Sequence, residues 1–131
     1  RCYRLLPKPK GGVMKLVKDI NDKGDLVLYM NGKFDSVAVK NHRKLLEAIV
    51  VTDETKVILD LTQVNFIDSS GIGVIVFLFK RLKINGSKFQ LIGVHGQAQA
   101  MLRLLRIDRI IDINWLDSPI ELVQKNIIRH A

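Results

Sequence analysis

The chain is short of the residues that define several large classes of protein. It has one cysteine, Cys2, so no intramolecular disulfide can form, and this usage suits a reducing compartment. No apolar stretch approaches the length needed to cross a bilayer; the longest uninterrupted run is Val74 to Phe79. Basic residues stand near the start, but no apolar core of a secretion signal follows them. A cytoplasmic protein without a membrane segment is expected. Aromatic residues make up only 6% of the chain, too few to interleave with its cations as a platform for stacked bases. There is no cluster of His, Cys and carboxylates at metal-ligand spacing, no Gly-x-Ser-x-Gly elbow, and no lysine placed as in a phosphate-binding loop. The three histidines are scattered: His42 in a helical segment, His95 in a loop after a strand, and His130 at the end. His95 is the one best placed to approach a loop serine, because loops of a parallel sheet gather at one end. The expectations are no metal, no cofactor and no enzymatic activity.

What is present is enough for one domain. The 131 residues include 47% hydrophobic and 26% charged residues, an ordinary globular balance. The net charge of +8 invites a nucleic-acid reading, but its distribution argues against one. Arg1, Arg4, Lys8 and Lys10 fall in the first 13 residues, where there is no acid; without these four, 17 basic residues face 13 acidic ones. Residues 1–13 also hold Pro7, Pro9, Gly11 and Gly12 and read as a flexible arm. Met14 is the expected native start, and the domain is expected over 14–131.

From Met14 onward strands and helices alternate. Residues 15–20 and 26–30 read as two strands of a hairpin around Asn21-Asp22-Lys23-Gly24, the second interrupted by Asn31-Gly32. Residues 36–50 change to a helical period with Ser36 as N-cap. Val57 to Leu61 reads as a buried central strand. Residues 72–84 have the propensity of a strand, yet the Asp68-Ser69-Ser70-Gly71 cap before them and Lys80, Arg81 and Lys83 at their end favour a deeply buried helix. A strand over 89–94, a helix over 97–105, a strand over 110–113 and a last helix from Ser118-Pro119 complete the series. The expected fold is α/β, a mixed and mostly parallel sheet flanked by helices.

The chemistry-bearing segment is Asp68-Ser69-Ser70-Gly71-Ile72-Gly73. One reading is structural: these residues cap a helix, an effect worth about 1 kcal/mol, and the two glycines let the helix pack closely on the sheet. The other, implied by a resemblance to a known family, is regulatory. A serine at a helix N-terminus lies beside unpaired N–H groups and the positive end of the dipole. A phosphate there would add about −1.5 to −2 charges without melting the helix. The surface would change sign locally while the fold survived.

The run from Val57 to Val74, with Asp-Ser-Ser-Gly-Ile-Gly opening a helix, resembles the STAS family and within it the bacterial anti-sigma-factor antagonists. Gly32-Lys33-Phe34-Asp35 is similar to the family's segment before its first helix, and Leu105 to Ile111 to its later helix-to-strand passage. The resemblance implies a STAS-type sheet and phosphorylation at Ser69, with Ser70 as a secondary candidate. It also implies a kinase that is itself the anti-sigma factor, and a metal-dependent serine phosphatase that restores the hydroxyl. The unmodified form would bind the kinase and the phosphorylated form would release it; ATP would belong to the kinase. The expected contact surface comprises Phe34, Asp35, Ser36, Asp68, Ser69, Ser70, Gly71, Ile72 and His95. Lys40, Arg43 and Lys44 depart from the acidic, polar character of the family's first helix, and interface charge sets partner choice. The alternatives are a non-switching scaffold subunit, and a variant that binds a nucleotide or lipid at the same helix N-terminus.

Overall fold

A computed structural model describes residues 13–49 and 56–116. Five strands form one sheet in the order of the chain: β1 (Lys15–Ile20), β2 (Leu26–Phe34), β3 (Lys56–Ile67), β4 (Lys88–Val94) and β5 (Asp112–Trp115). β1 pairs antiparallel with β2 across the Asn21–Asp25 turn, and the remaining pairs are parallel. Four helices join the parallel strands: α1 (Ser36–Asn41), α2 (Arg43–Ile49), α3 (Ser69–Ile84) and α4 (Gly96–Leu104). Right-handed crossovers between strands laid down in sequential order put every connecting helix on the same side of the sheet.

The core records that one-sidedness. Leu26, Leu28 and Met30 of β2, Val57, Leu59 and Leu61 of β3, and Phe89 and Leu91 of β4 point alternately inward. They meet Ala38, Leu46, Ile75, Leu78, Leu82, Ala98 and Leu102 from the helices. The intervening residues Val27, Ile58 and Ile92 form a separate, smaller cluster with Tyr29 on the opposite face. Asp60 is buried on that face as well, and its Oδ1 accepts the Thr62 N–H at 2.9 Å.

Several expected boundaries shift, each for a physical reason. Asn31-Gly32 does not end β2: the strand absorbs Gly32, at φ 123°, as an irregularity in register and continues to Phe34. β3 extends well beyond Leu61, through Thr62–Ile67, because β2 keeps pairing with it. The expected helix over 36–50 is two helices, broken at His42, whose Nε2–H donates to the Met14 carbonyl at 2.6 Å. Its N-cap is Asp35 and not Ser36; Asp35 Oδ1 accepts the Ala38 N–H at 3.0 Å. The apolar segment after the serines is a helix that begins at Ser69, but it is not deeply buried as expected: one face packs on the sheet while Phe77 and Ile84 stay exposed. α4 stops one residue earlier than expected, Arg106 takes a left-handed conformation at φ 57°, and a 3-10 turn over Ile107–Arg109 delays β5 to Asp112. The expected arm over 1–13 lies outside the described residues except for Val13, as does the last helix from Ser118.

Candidate functional site

The carboxyl ends of β2 and β3 lie side by side, Phe34 paired with Ile67, and each feeds a helix through one aspartate. Asp68 uses both of its carboxylate oxygens. Oδ1 accepts the N–H groups of Ser70 (2.9 Å) and Gly71 (3.1 Å), which satisfies two orphan donors of α3. Oδ2 accepts the N–H of Ser36 at 3.3 Å and so ties the start of α1 to the start of α3. The Asp68 N–H donates to the Phe34 carbonyl, also at 3.3 Å, and closes the link through the backbone.

Ser69, the first residue of α3, is exposed, and among the described residues no hydrogen bond engages its hydroxyl. Ser36 is exposed beside it in the same two-helix junction; Asp35, Asp68, Ser70 and His95 are partly buried. Three residues expected on the contact surface face inward instead. Phe34 is fully buried and lends the site only its carbonyl. Ile72 packs into the core, one residue past the cap, where the helix turns toward the sheet. Gly71 lies against β2 and β3: a Cβ there would fall on the Phe34 carbonyl oxygen and come within 2.7 Å of Ile67 Cγ1. Close packing explains Gly71 as expected, but Gly73 is exposed with open space around it and owes nothing to the sheet.

His95 holds the loop that opens α4. Its Nε2–H donates to the Thr62 carbonyl at 2.8 Å, which fastens the β4–α4 loop to β3, and no hydrogen bond among the described residues joins it to Ser69. Gly93, within β4 at φ 71°, lets the end of that strand pass against the Thr62 side chain, which any Cβ at that position would strike. Among the described residues no three His, Cys, Asp or Glu side chains converge as a metal site would require. No helix among them is long and apolar enough to cross a membrane.

A free serine at the mouth of a βα unit, with its neighbouring aspartate as cap, is a detail that many sheets could share; the chain's relatives narrow it. The sequence model of the STAS domain matches residues 16–122. The chain belongs to the STAS domain family. An anti-sigma-B factor antagonist of Listeria monocytogenes is 27% identical over 92 residues, covering 70% of this chain and 81% of that protein. An anti-sigma factor antagonist from Mycobacterium paratuberculosis shares the fold with a TM-score of 0.71 at 17% identity, over 79% of this chain and 87% of that one. The Bacillus cell fate determinant SpoIIAA in its phosphorylated form superimposes with a TM-score of 0.61 at 15% identity, over 85% of this chain and 98% of its own.

One residue of this STAS domain that shapes the site carries no sequence signal. The Gln97 side chain accepts the Ile67 N–H at 2.8 Å through Oε1 and donates to the Ile67 carbonyl at 2.9 Å through Nε2. A glutamine amide thus replaces a strand neighbour for the last residue of β3, immediately before Asp68. The only local cue is a glutamine after a left-handed glycine, Gly96 at φ 58°, and nothing in that pair points to a partner 30 residues away.

Proposed function

We propose that this STAS domain is an anti-sigma-factor antagonist that binds a serine kinase of the anti-sigma type while Ser69 is free, and lets it go when Ser69 is phosphorylated. A serine phosphatase would restore the binding form. The observation that carries this reading is the division of labour at the start of α3: Asp68 makes both capping bonds, and the Ser69 hydroxyl is exposed and uncommitted. A phosphate on Ser69 would therefore remove no hydrogen bond from the fold. It would rest at the positive end of a helix dipole, which accommodates anions. What it changes is the surface: about −1.5 to −2 charges appear beside the Asp35 and Asp68 carboxylates, enough to repel an acidic partner and prevent close packing.

The same division of labour weakens the scaffold alternative in its simplest form, where Ser69 is retained as a cap. The names of the Listeria, Mycobacterium and Bacillus relatives support an antagonist, and the phosphorylated SpoIIAA shows that a protein of this fold carries the modification.

The test is intact-mass analysis of the protein from its own cells beside a Ser69→Ala version, followed by titration of both, and of Ser69→Asp, against each anti-sigma-type kinase of the same genome. A phosphate on the wild type and none on Ser69→Ala is expected, with one kinase that binds wild type and Ser69→Ala but not Ser69→Asp. Absence of phosphate under every growth condition, or similar mild losses for both variants, overturns the switch in favour of the scaffold.

A further inference from the structure

One turn into α3, beyond Ser69 and Ser70, Gly73 leaves a gap. A Cβ there would meet nothing within 4 Å. A glycine inside a helix is destabilising relative to alanine, and packing on the sheet explains Gly71 but not this one. The gap opens into a cleft of about 390 Å³ between α3 and the α1–α2 pair. Val39 and Leu46 wall one side, Val74 and Phe77 the other, and Ser70 stands at the end nearest the N-terminus of α3. Phe77 is 41% exposed, a large apolar ring left at the edge of the groove.

Cations outnumber carboxylates on the helices that form the cleft, although Glu47 lines it beside Arg43 and Asp35 and Asp68 cap the starts of α1 and α3. α1, α2 and α3 contain a single carboxylate, Glu47, against Lys40, Arg43, Lys44, Lys80, Arg81 and Lys83. At the rim Arg43 lies 4.0 Å from Glu47, and the Arg81 guanidinium sits 5.5 Å from the centroid of the Phe77 ring. An apolar slot in a basic surface fits an apolar side chain carried on an acidic one.

We propose that this cleft is the anchor point for the kinase, receiving a leucine- or methionine-sized side chain from a partner helix whose flanks carry carboxylates. The proposal rests on the reading of the chain as a kinase-binding module and names the surface the kinase grips. It also gives the Ser69 phosphate a target. Ser69 and Gly73 are one helical turn apart on α3, so a phosphate on the first places negative charge at the mouth of the slot opened by the second. The acidic helix that a basic rim attracts is then turned away. Gly73 keeps the slot open at some cost to the helix that holds it.

Two synthetic amphipathic peptides of about five helical turns test this, each with the same leucine ridge, one flanked by glutamates and the other by lysines. They are titrated by fluorescence anisotropy against the full chain, Gly73→Leu, Gly73→Ala and Ser69→Asp. The glutamate peptide is expected to bind wild type and to lose about tenfold or more in affinity with Gly73→Leu. Smaller losses are expected with Gly73→Ala and Ser69→Asp, and no binding by the lysine peptide. Both Gly73 variants should unfold at or above the wild-type temperature; if Gly73→Leu does not, Gly73→Ala alone carries the comparison. Failure of the glutamate peptide to bind, equal binding of the two peptides, or indifference to both Gly73 variants overturns the cleft as an anchor. Self-association of wild type that Gly73→Leu abolishes assigns the cleft to a second copy and overturns it as well. A positive peptide result with no kinase found in the earlier titrations sinks the functional reading while the anchor stands; the reverse pattern sinks the anchor alone.

Discussion

α3 and α4 begin in equivalent places, each just after a parallel strand ends, yet their first residues are used in opposite ways. At α3 the cap is an aspartate that satisfies two helix N–H groups and one from α1, and the serine after it makes no bond. At α4 the cap position is His95, which makes no capping bond, and the side chains there reach across to β3. His95 holds the Thr62 carbonyl and Gln97 holds both backbone groups of Ile67. One helix start is left available to the outside while its neighbour is spent on bracing it. The proposed modification at Ser69 needs both: a residue with no structural duty, and surroundings fixed well enough that changing it moves nothing else.

The contrast can be broken from either side. The largest effect is expected from Asp68→Ala, which removes two capping bonds and the tie to Ser36 together. A loss of about 2 kcal/mol in urea-unfolding stability, the upper end for a cap, is the expected outcome. A loss no larger than that of an ordinary surface substitution would mean another group takes over the cap. Gln97→Ala leaves the partly buried N–H and carbonyl of Ile67 without the amide, for an expected loss of about 1 kcal/mol. Its sharper signature is local: amide hydrogen exchange at Ile67 and Asp68 should quicken while that of the β3 core residues Leu59 and Leu61 stays slow. Ser69→Ala comes last, with a change within about 0.5 kcal/mol, as for a surface side chain without partners. A fall of about 1 kcal/mol there would instead assign the serine a capping duty and remove the contrast.

The order and type of the elements were legible in the sequence because strand and helix periods differ and the turns carry Asn, Asp and Gly. Even the apolar segment after Ser70 was assigned correctly, from its flanking cap and terminal cations, although its own propensity suits a strand. What stayed hidden depended on partners distant in the chain. The extension of β3 through Thr62-Gln63-Val64-Asn65-Phe66 alternates only over its last four residues, buries Leu61, Val64 and Ile67 at every third position, and follows from pairing with β2 across register shifts. The break at His42 is fixed by a carbonyl 28 residues earlier. Within the site, Asp68, Ser69 and Ser70 were found as a motif, but a motif does not tell inside from outside. Phe34, Gly71 and Ile72 belong to the same constellation and are turned inward, where they set the position of the helix.

Asp68 and Ser69 are adjacent in the chain but differ in how freely each can change over evolutionary time. The aspartate accepts on both oxygens, so even asparagine would aim its amide NH2 at an N–H group, either of Ser36 or of α3. The serine is bound to nothing in the fold, so a lineage can lose it, regain it or replace it with a fixed negative charge, and the domain will still fold. On the proposed reading, regulation in this protein is detachable: descendants would become permanently bound or permanently released through one substitution, with the architecture inherited unchanged.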